Sequence, residues 1–320
     1  MNAASPGVRE RKPDWLKKRI PDPKPMAEMR RLLGELRLNT ICEEAGCPNI
    51  GECWANRTAT FLILGEICTR ACGFCDVTTG RPEPPDFREP LRVAEAVRHL
   101  GLKHAVLTSP DRDDLPDKGA AHWASCIRAI HRMNPGTTVE ALISDFDGIE
   151  AHLETVLAAE PEILAHNVET VPRLHRKVRP RFRYERSLAV LKNSKRIRPE
   201  SFTKSNIMVG FGETEGEVVA VMEDLRAADV DFLTIGQYLR PSPKHLPVVA
   251  YVHPDTFERY RERALELGFR YVASGPFVRS SFDAKAALEA IGYRRGDGAS
   301  PPGGIRHPNG SGGDENGGEL

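Results

Sequence analysis

Six of the seven cysteines of this 320-residue chain lie between positions 42 and 75, in two triplets of different spacing. The second triplet, Cys68, Cys72 and Cys75, has the spacing C-x3-C-x2-C within "CTRACGFC". Three thiolates at this spacing can hold three corners of a cubic iron–sulfur cluster, because its irons bind soft sulfur ligands. The fourth iron is then open to a ligand from outside the chain, like the open position of a catalytic zinc site. A zinc site or a group of redox thiols is the alternative, although no histidine is closer in sequence than His99.

The first triplet, Cys42, Cys47 and Cys53, has the looser spacing C-x4-C-x5-C. By itself this spacing leaves open a structural zinc site or a set of buried thiols. Beside the second triplet it indicates another incomplete cluster, which a sulfur-donating or electron-relaying enzyme would carry. The missing ligand of that cluster has to come from elsewhere in the chain. The seventh cysteine, Cys126, lies on an amphipathic segment and is expected to be a buried bystander.

The elements that must position these cysteines alternate between short β-type runs and segments of helical periodicity. Apolar residues recur at helical spacing, as at Ile149, Leu153 and Val156. Thr214 and Glu217 predict a capping box at the start of a later helix. Six runs have the composition of strands, at 59–64, 104–109, 137–143, 163–167, 207–210 and 232–236.

This alternation predicts six βα units around a parallel sheet. Six units are too few for the closed eight-stranded barrel, so a partial barrel and an open doubly wound sheet both remain. Both folds bind ligands at the carboxyl ends of the strands, and "CTRACGFC" follows the first predicted strand at that edge. We therefore expect the cysteines in an active site.

The composition limits the class of protein. The chain has 45 basic and 45 acidic residues and a formal net charge of zero, so we expect neither nucleic acid nor anionic lipid as a partner. The first residues contain no apolar signal region, and every apolar run is far shorter than a membrane span. We therefore expect a soluble cytoplasmic protein with no membrane partner, in which clustered cysteines bind metal rather than form disulfides. Residues 291–320 are rich in glycine and are expected to be a disordered tail.

Several motifs together resemble a known family. "CTRACGFC" resembles the signature of the radical S-adenosylmethionine (SAM) superfamily, and "NTICEEAGCPNIGECW" resembles the N-terminal cluster motif of the lipoyl synthase family. "LTSPDRDDLPDKGA" and "GPFVRSSF" are similar to further segments of that family, and the resemblance covers about residues 37–284. It implies an α/β fold, a partial (β/α)6 TIM-type barrel of the radical SAM class at 59–275. An N-terminal extension, 1–58, would carry the ligands of the auxiliary cluster, and a C-terminal segment, 276–290, would carry a serine ligand.

The resemblance implies an enzyme, a sulfurtransferase that inserts two sulfur atoms at C6 and C8 of an octanoyl chain to form the lipoyl group. Its cofactors would be two [4Fe-4S] clusters and SAM. One electron, from a donor such as flavodoxin or ferredoxin, would cleave SAM to a radical that removes hydrogen from the chain, and the auxiliary cluster would donate sulfide. The octanoyl chain would be amide-linked to a lysine of a lipoyl carrier domain or of the glycine-cleavage H protein. Another two-cluster radical SAM sulfur-inserting enzyme and an iron–sulfur electron carrier are the alternatives.

The resemblance also implies roles for individual residues. The C-terminal Arg-Ser-Ser motif corresponds to the fourth ligand of the auxiliary cluster at Ser281, unless the serine pair only caps a turn. In the second cluster motif, the backbone at Phe74 corresponds to the position that recognises adenine. Asn167 and Glu169 are candidates for contacts to the ribose and the amino group of SAM.

Three further charged or glycine-containing runs bear on the site. "NIMVGFGE" resembles the superfamily pattern G-x-I-x-G-x-x-E at Gly210 and Glu213, which the resemblance implies as SAM-binding residues, but it departs from the pattern at Asn206 and at Met208. The basic run 173–183, "RLHRKVRPRFR", is either a solvated face or a docking site for an acidic carrier domain. In the run "DRDD", Arg112, Asp113 and Asp114 either order the site or contact SAM.

Overall fold

The computed structural model describes residues 12–18, 22–55, 58–281, 284–293 and 295. Within these residues the chain forms ten β-strands and eleven α-helices, with 3-10 turns at Asp14–Leu16 and Phe146–Gly148. The strands are β1 (Asn39–Thr40), β2 (Thr60–Leu62), β3 (Ile67–Cys68), β4 (Thr78–Thr79), β5 (His104–Thr108), β6 (Thr138–Leu142), β7 (Ile163–Ala165), β8 (Phe202–Val209), β9 (Phe232–Gln237) and β10 (Tyr271–Gly275). The helices are α1 (Pro23–Glu35), α2 (Ile41–Glu44), α3 (Ile50–Ala55), α4 (Glu89–Leu100), α5 (Ala120–Met133), α6 (Glu150–Leu157), α7 (Pro172–Val178), α8 (Tyr184–Ile197), α9 (Glu215–Ala227), α10 (Pro254–Glu266) and α11 (Ala284–Ala290).

Eight strands form one sheet in the order β1-β2-β5-β6-β7-β8-β9-β10. β1 runs antiparallel to β2, and the other neighbours in this sheet are parallel. In the part of the chain that the structure describes, β1 and β10 end the sheet without pairing with each other, so the barrel is partial. β3, which ends at Cys68, and β4, which follows Cys75, form a separate parallel pair. The α/β fold and the partial barrel expected from the sequence are confirmed.

Six βα units follow the predicted alternation, because β2 and each of β5 to β9 lead into a helix. The structure adds β10 as a seventh parallel strand, which the sequence did not indicate because its residues are half-exposed at the edge of the sheet. β8 begins at Phe202, well before the predicted strand at 207–210. Its early part carries a buried lysine, Lys204, whose Nζ lies 3.0 Å from both carboxylate oxygens of Glu140 on β6. That ion pair allows a strand with polar residues to lie in the core.

The helices pack their apolar faces against the sheet. Leu153 and Val156 of α6 are buried as the periodicity predicts, whereas Ile149 precedes the helix and is 44% exposed. The predicted capping box is present: the side chain of Thr214 accepts from the N–H of Glu217, and the carboxylate of Glu217 accepts from the N–H of Thr214. These local features fix where the helices begin and therefore which loops lie at the carboxyl edge of the sheet.

The segment predicted as a disordered tail is described only at Ile291–Tyr293 and Arg295. There, the ring of Tyr293 packs edge-on against Phe202, with ring centroids 5.5 Å apart, and Arg295 forms an ion pair with Glu162. The remainder of that predicted tail lies outside the described residues. Among the helices that the structure describes, none has the length and apolar character to cross a lipid bilayer.

Candidate active site

A cavity of about 500 Å³ opens at the carboxyl ends of the parallel strands. Leu62, Thr108 and Leu142, which end β2, β5 and β6, line it, as expected for ligand sites in barrels of this kind. Its volume lies within the range of pockets that bind small organic ligands. Both cysteine triplets and the serine pair contribute to its wall: Cys42, Cys47, Cys68, Cys72, Cys75, Ser280 and Ser281.

Residues 68–75, the cluster loop, are held by main-chain hydrogen bonds from both sides. The N–H of Gly73 donates to the C=O of Val178 (2.9 Å), and the N–H of Leu246 donates to the C=O of Gly73 (2.9 Å). A Cβ at position 73 would lie 2.9 Å from the Leu246 side chain, so this close approach favours glycine. The Nε2 of His245 lies 3.0 Å from the C=O of Cys75. The loop is therefore fixed between the end of α7 and the loop that follows β9.

The sulfur of Cys68 has two backbone donors. The N–H of Arg70 lies 3.3 Å from Cys68 Sγ, and the N–H of Asp111 lies 3.2 Å from it. Thr69 adds a further bond, from its own N–H to the C=O of Asp111 (3.0 Å). Backbone donors to a thiolate stabilise its negative charge, so these bonds prepare Cys68 to act as a ligand.

Arg70, within the cluster loop, is the centre of a buried ion-pair network. Its side chain is 2% exposed, and it donates to both oxygens of Asp113 (2.8 and 2.7 Å), to Asp145 (2.8 Å) and to Asp147 (3.1 Å). Burial lowers the pKa of Arg70, but the hydrogen bonds to Asp113 and the aspartate charges raise it by more, so the guanidinium stays charged. The same hydrogen bonds lower the pKa of Asp113 to about 2. Because Asp113 follows β5 and Asp145 follows β6, Arg70 ties the cluster loop to two strands of the barrel.

In the run "DRDD", Asp111 precedes the three residues that are predicted to order the site or to contact SAM. Asp111 lines the cavity. Arg112 is buried, pairs with Asp114 (2.8 Å) and donates to the C=O of Leu64 (2.8 Å), while Asp113 binds Arg70 as described above. Of the four residues, Arg112, Asp113 and Asp114 therefore order the loops around the site.

Phe74, Asn167 and Glu169, three of the residues predicted to contact SAM, line the cavity, and Asn206 lies beside them. The carboxylate of Glu169 accepts hydrogen bonds from the side-chain amides of Asn167 (2.8 Å) and Asn206 (3.0 Å). Thr234 Oγ1 donates to Asn206 Oδ1 (2.9 Å), which orients that amide. Burial raises the pKa of Glu169. The asparagine that departs from the family pattern thus has a defined contact, since it positions a cavity carboxylate.

Gly210 and Glu213, the other two residues predicted to contact SAM, are close to each other but do not line the cavity. The carboxylate of Glu213 accepts from the N–H groups of Gly210 and Phe211, which shapes the loop after β8. Gly210 has φ +115°, and a Cβ there would lie 2.2 Å from Nε2 of Gln237. The glycine is required for backbone geometry and for the approach of Gln237, which itself lines the cavity.

Two further polar residues in the cavity were not singled out by sequence reasoning. Oδ1 of Asp111 and Nε of Arg179 are buried and have no hydrogen-bond partner among the described residues. Burial raises the pKa of Asp111 to about 6. Arg179 donates from Nη1 to the C=O of Asn167 (2.5 Å), and its guanidinium lies 3.6 Å from the ring centre of Phe182. Both residues belong to charged runs that follow strands, which the sequence does show. The sequence does not show which residue of each run points into the cavity.

The first triplet is carried by α2 and α3. The turn between them is closed by the N–H of Cys47, which donates to the C=O of Cys42 (3.0 Å), and by Gly46 with φ +53°. Cys53, on α3, does not line the cavity itself. Burial raises the pKa of Cys42 to about 12 and that of Cys53 to about 11, and the nearby charge of Cys47 adds to both shifts. The three thiols therefore form one group, two of which face the cavity.

Residues 276–281, the closing segment, lie beside the first triplet. Nδ2 of Asn49, a buried residue between α2 and α3, donates to the C=O of Phe277 (2.7 Å), and Lys18 Nζ lies 4.9 Å from the Phe277 ring centre. A Cβ at Gly236 of β9 would lie 2.1 Å from the C=O of Val278, so a glycine in that strand lets the closing segment pass. These contacts bring Ser280 and Ser281 to the cavity.

Cys126 lies apart from the cavity and is fully buried on α5, as predicted. Its Sγ, a ring nitrogen of His122 and a carboxylate oxygen of Glu89 lie within 4.8 Å of one another. The Glu89 carboxylate already accepts from the N–H of Leu64 (2.9 Å) and contacts His122 Nε2 (2.6 Å). Glu89 and His122 therefore form a hydrogen-bonded contact between α4 and α5.

Known proteins resemble this chain both in sequence and in fold. The family model of the radical SAM superfamily matches residues 62–225. The lipoyl synthase of Rubrobacter xylanophilus is 54% identical over 281 residues, which cover 88% of this chain and 88% of that protein. The lipoyl synthase of Caldanaerobacter subterraneus subsp. tengcongensis is 55% identical over 278 residues, which cover 87% of this chain and 97% of that protein. The crystal structure of methylornithine synthase has a TM-score of 0.52 at 12% identity, covering 82% of this chain and 87% of that one, a likeness of fold alone.

Proposed function

This chain belongs to the lipoyl synthase family of the radical SAM superfamily, and we propose that its cavity is where two sulfur atoms are inserted into a protein-bound octanoyl chain. The insertion takes place at C6 and C8 of the octanoyl-lysine and forms the lipoyl group, with sulfur donated by the auxiliary [4Fe-4S] cluster. The observation that carries this assignment is that cysteines of both triplets and Ser281 line one cavity. Two clusters can serve one acyl chain only if their ligands face a common space.

The donor set fits two iron–sulfur clusters. All seven cysteines are free thiols, and burial raises the pKa of Cys68, Cys72 and Cys75 to about 12. Buried thiols of this kind become thiolates when a cationic centre offsets their charge, and soft sulfur is the ligand that such irons prefer. When bound, the two clusters and SAM supply the one-electron chemistry, the radical and the sulfide.

We assign Cys68, Cys72 and Cys75 as ligands of the SAM-binding cluster. Cys42, Cys47 and Cys53, from the N-terminal extension, hold the auxiliary cluster together with Ser281 from the C-terminal segment. Support for the serine comes from the closing segment, which brings Ser281 to the same cavity as Cys42 and Cys47. A serine oxygen is a harder ligand than a thiolate and holds iron less firmly, which suits a cluster that is dismantled in turnover.

The cavity also holds groups that match SAM. Its methionine part carries an ammonium and a carboxylate, which Asp111 and Arg179 match with one buried atom each that has no hydrogen bond among the described residues. Oδ1 of Asp111 lies 3.6 Å from Nε of Arg70. Glu169, oriented by Asn167 and Asn206, accepts hydrogen bonds from the ribose or the amino group, and the backbone at Phe74 receives the adenine. Gly210 and Glu213 act indirectly by shaping the loop after β8. Residues that are held before the ligand binds reduce the ordering cost of binding.

The partners follow from this chemistry. The enzyme acts on an octanoylated lipoyl carrier, for which we propose a lipoyl carrier domain or the glycine-cleavage H protein. The electron donor we propose is a small redox protein such as flavodoxin or ferredoxin. The cytoplasmic location remains a prediction from the sequence.

An anaerobic preparation tests the proposal. The protein should be brown and contain about eight irons per chain, in two four-iron clusters. Incubation with SAM, dithionite and an octanoyl-lysine peptide should give a product with two added sulfur atoms by mass spectrometry. Colourless protein that contains zinc would reject the assignment. Brown protein that cleaves no SAM would favour the electron carrier instead.

A further inference from the structure

Exposed basic side chains flank the cluster loop, in the run 173–183 and in the loop after β9. Among those that form no ion pair within the described parts of the chain are Arg176, Lys177, Arg181, Arg240 and Lys244. We call these five residues the basic rim. Their neighbours behave differently, because Arg173 pairs with Glu217 (2.6 Å) and Arg186 pairs with Asp145 (2.6 Å). The rim thus presents positive charge that the protein itself does not neutralise.

The two parts of the rim flank the same cluster loop. On one side, Gly73 is hydrogen-bonded to Val178, at the end of the helix that carries Arg176 and Lys177. On the other side it is hydrogen-bonded to Leu246, two residues after Lys244. Arg240 lines the cavity itself. Along residues 179–183 the side chains differ in direction: Arg179 and Phe182 line the cavity, whereas Arg181 is exposed. The rim therefore lies beside the cluster loop and reaches the cavity at Arg240.

We propose that the basic rim is the docking surface for the carrier domain and binds an acidic face beside its octanoylated lysine. The inference rests on the proposed function. An amide-linked lysine has lost its charge, so its octanoyl chain can enter the cavity while the surrounding carrier surface meets the rim. Arginine is enriched at protein interfaces, and complementary charge accelerates association and selects the partner. Asp76, exposed and 3.7 Å from His245 Nε2, is an acidic residue at the same loop, so the rim is positive without being uniform.

Charge reversal at three rim residues that do not line the cavity tests the proposal: Lys177→Glu, Arg181→Glu and Lys244→Glu. The matched control reverses three exposed basic residues near the amino edge of β5 and on α5, which also form no ion pair within the described residues: Lys103→Glu, Arg128→Glu and Arg132→Glu. Both triple variants change the net charge by the same amount. Dithionite supplies the electrons, so docking of a protein reductant does not enter the measurement.

The readout is kcat/KM for sulfur insertion into octanoylated H protein and into a short octanoyl-lysine peptide. We expect the rim variant to lose about tenfold or more with the H protein, chiefly at low salt, and to retain the wild-type value with the peptide. The control variant should retain both values. An H protein whose acidic residues around the lysine are replaced by lysines should be processed better by the rim variant than by the wild type.

Each other outcome overturns the proposal. An unchanged value with the H protein means that the carrier docks elsewhere, and an equal loss with the peptide means that the substitutions disturb the cavity. If the variant is impaired only when flavodoxin replaces dithionite, the rim serves the electron donor. Failure of the proposed function would look different, because the wild type would then insert no sulfur into either substrate.

Discussion

The two cysteine triplets supply thiols to one cavity, but the chain holds them in different ways. The cluster loop is part of the barrel: Arg70 binds aspartates that follow β5 and β6, and Gly73 is bonded on both sides. The first triplet lies on two short helices and the turn between them, outside the barrel. Its link to the closing segment is the bond from Asn49 to Phe277, which joins residues 228 positions apart. The cluster loop is therefore anchored by buried ion pairs, whereas the first triplet is covered by the closing segment.

Under the proposed function, this difference corresponds to the fates of the two clusters. The cluster that cleaves SAM must keep its geometry through both sulfur insertions, which favours a rigid support on the barrel. The auxiliary cluster gives up its sulfide and must be rebuilt, which favours a support that can open. Contacts made by a few side chains across a segment boundary open at lower free energy than a buried ion-pair network in the barrel.

Removing one thiol from each triplet is the strongest test of the comparison. Cys72→Ala should abolish SAM cleavage, and Cys47→Ala should leave SAM cleavage active while abolishing sulfur insertion. Each variant should lose one cluster, so that iron falls from about eight to about four per chain. Cys126→Ala, the control outside the cavity, should keep both clusters and both activities. Equal loss of SAM cleavage in the Cys72 and Cys47 variants would show that the triplets do not act separately.

Arg70→Gln should have the next largest effect, on stability. It removes the buried cation that Asp113 and Asp145 share, while Arg186 stays beside Asp145 and Lys118 beside Asp113. The free energy of unfolding of the cluster-free protein should therefore fall by about 3 kcal/mol in urea titrations, the lower end of the range for breaking a buried ion pair. The electron paramagnetic resonance signal of the reduced SAM-binding cluster should also change, because the loop loses its anchor. Arg173→Gln, which breaks an exposed pair with Glu217, is the control and should alter neither property. Wild-type stability in Arg70→Gln would contradict the proposed anchoring.

Asn49→Leu should loosen only the first triplet. At nearly constant size, the change removes the donor to the C=O of Phe277 and the acceptor of Lys18 Nζ (2.6 Å), which costs about 1 kcal/mol for a part-buried contact. A chelator should therefore strip iron from the auxiliary cluster faster, while SAM cleavage keeps its rate. Asn134→Leu loses a similar bond to the C=O of Ala94 (3.0 Å), far from the site, and serves as the control. Slower SAM cleavage in Asn49→Leu alone would mean that the two supports are coupled.

Ser281→Cys should have the smallest effect on activity. It tests whether the auxiliary cluster needs a weakly bound fourth ligand. A fourth thiolate binds iron more tightly, so the auxiliary cluster should persist while lipoyl formation slows about tenfold, about 1.4 kcal/mol in the barrier. Ser280→Cys, at the neighbouring position in the same motif, should retain the rate. Full lipoyl formation by Ser281→Cys would reject the weak-ligand explanation.

Much of the fold, and the position of the second cysteine triplet at the carboxyl edge of the sheet, could be predicted because their signals are local. Strand runs and helical stripes reflect neighbours a few residues apart, and Thr214 with Glu217 forms the expected cap. The errors have physical causes. The start of β8 was missed because Lys204 is paired in the core with Glu140, and β10 was missed because an edge strand needs no continuous apolar run.

Individual roles in the cavity were less predictable. Gly210 and Glu213 match a family pattern, yet they shape a loop outside the residues that line the cavity. Asn206 departs from the pattern but orients Glu169. A motif specifies which residue types occur at a spacing, whereas the direction of each side chain depends on the elements packed around it.

By itself, the amino-acid sequence determined the kind of chemistry, since the number, softness and spacing of the thiols are properties of the chain. Only the tertiary structure decided that Arg70 anchors the cluster loop and that Arg179 turns inward while Arg181 stays exposed. Arg70 meets its partners at Asp113 and Asp145, 43 and 75 positions away. Contacts over such distances are selected by the packing of the whole barrel, because only there does a buried charge find the opposite charges that make its burial possible.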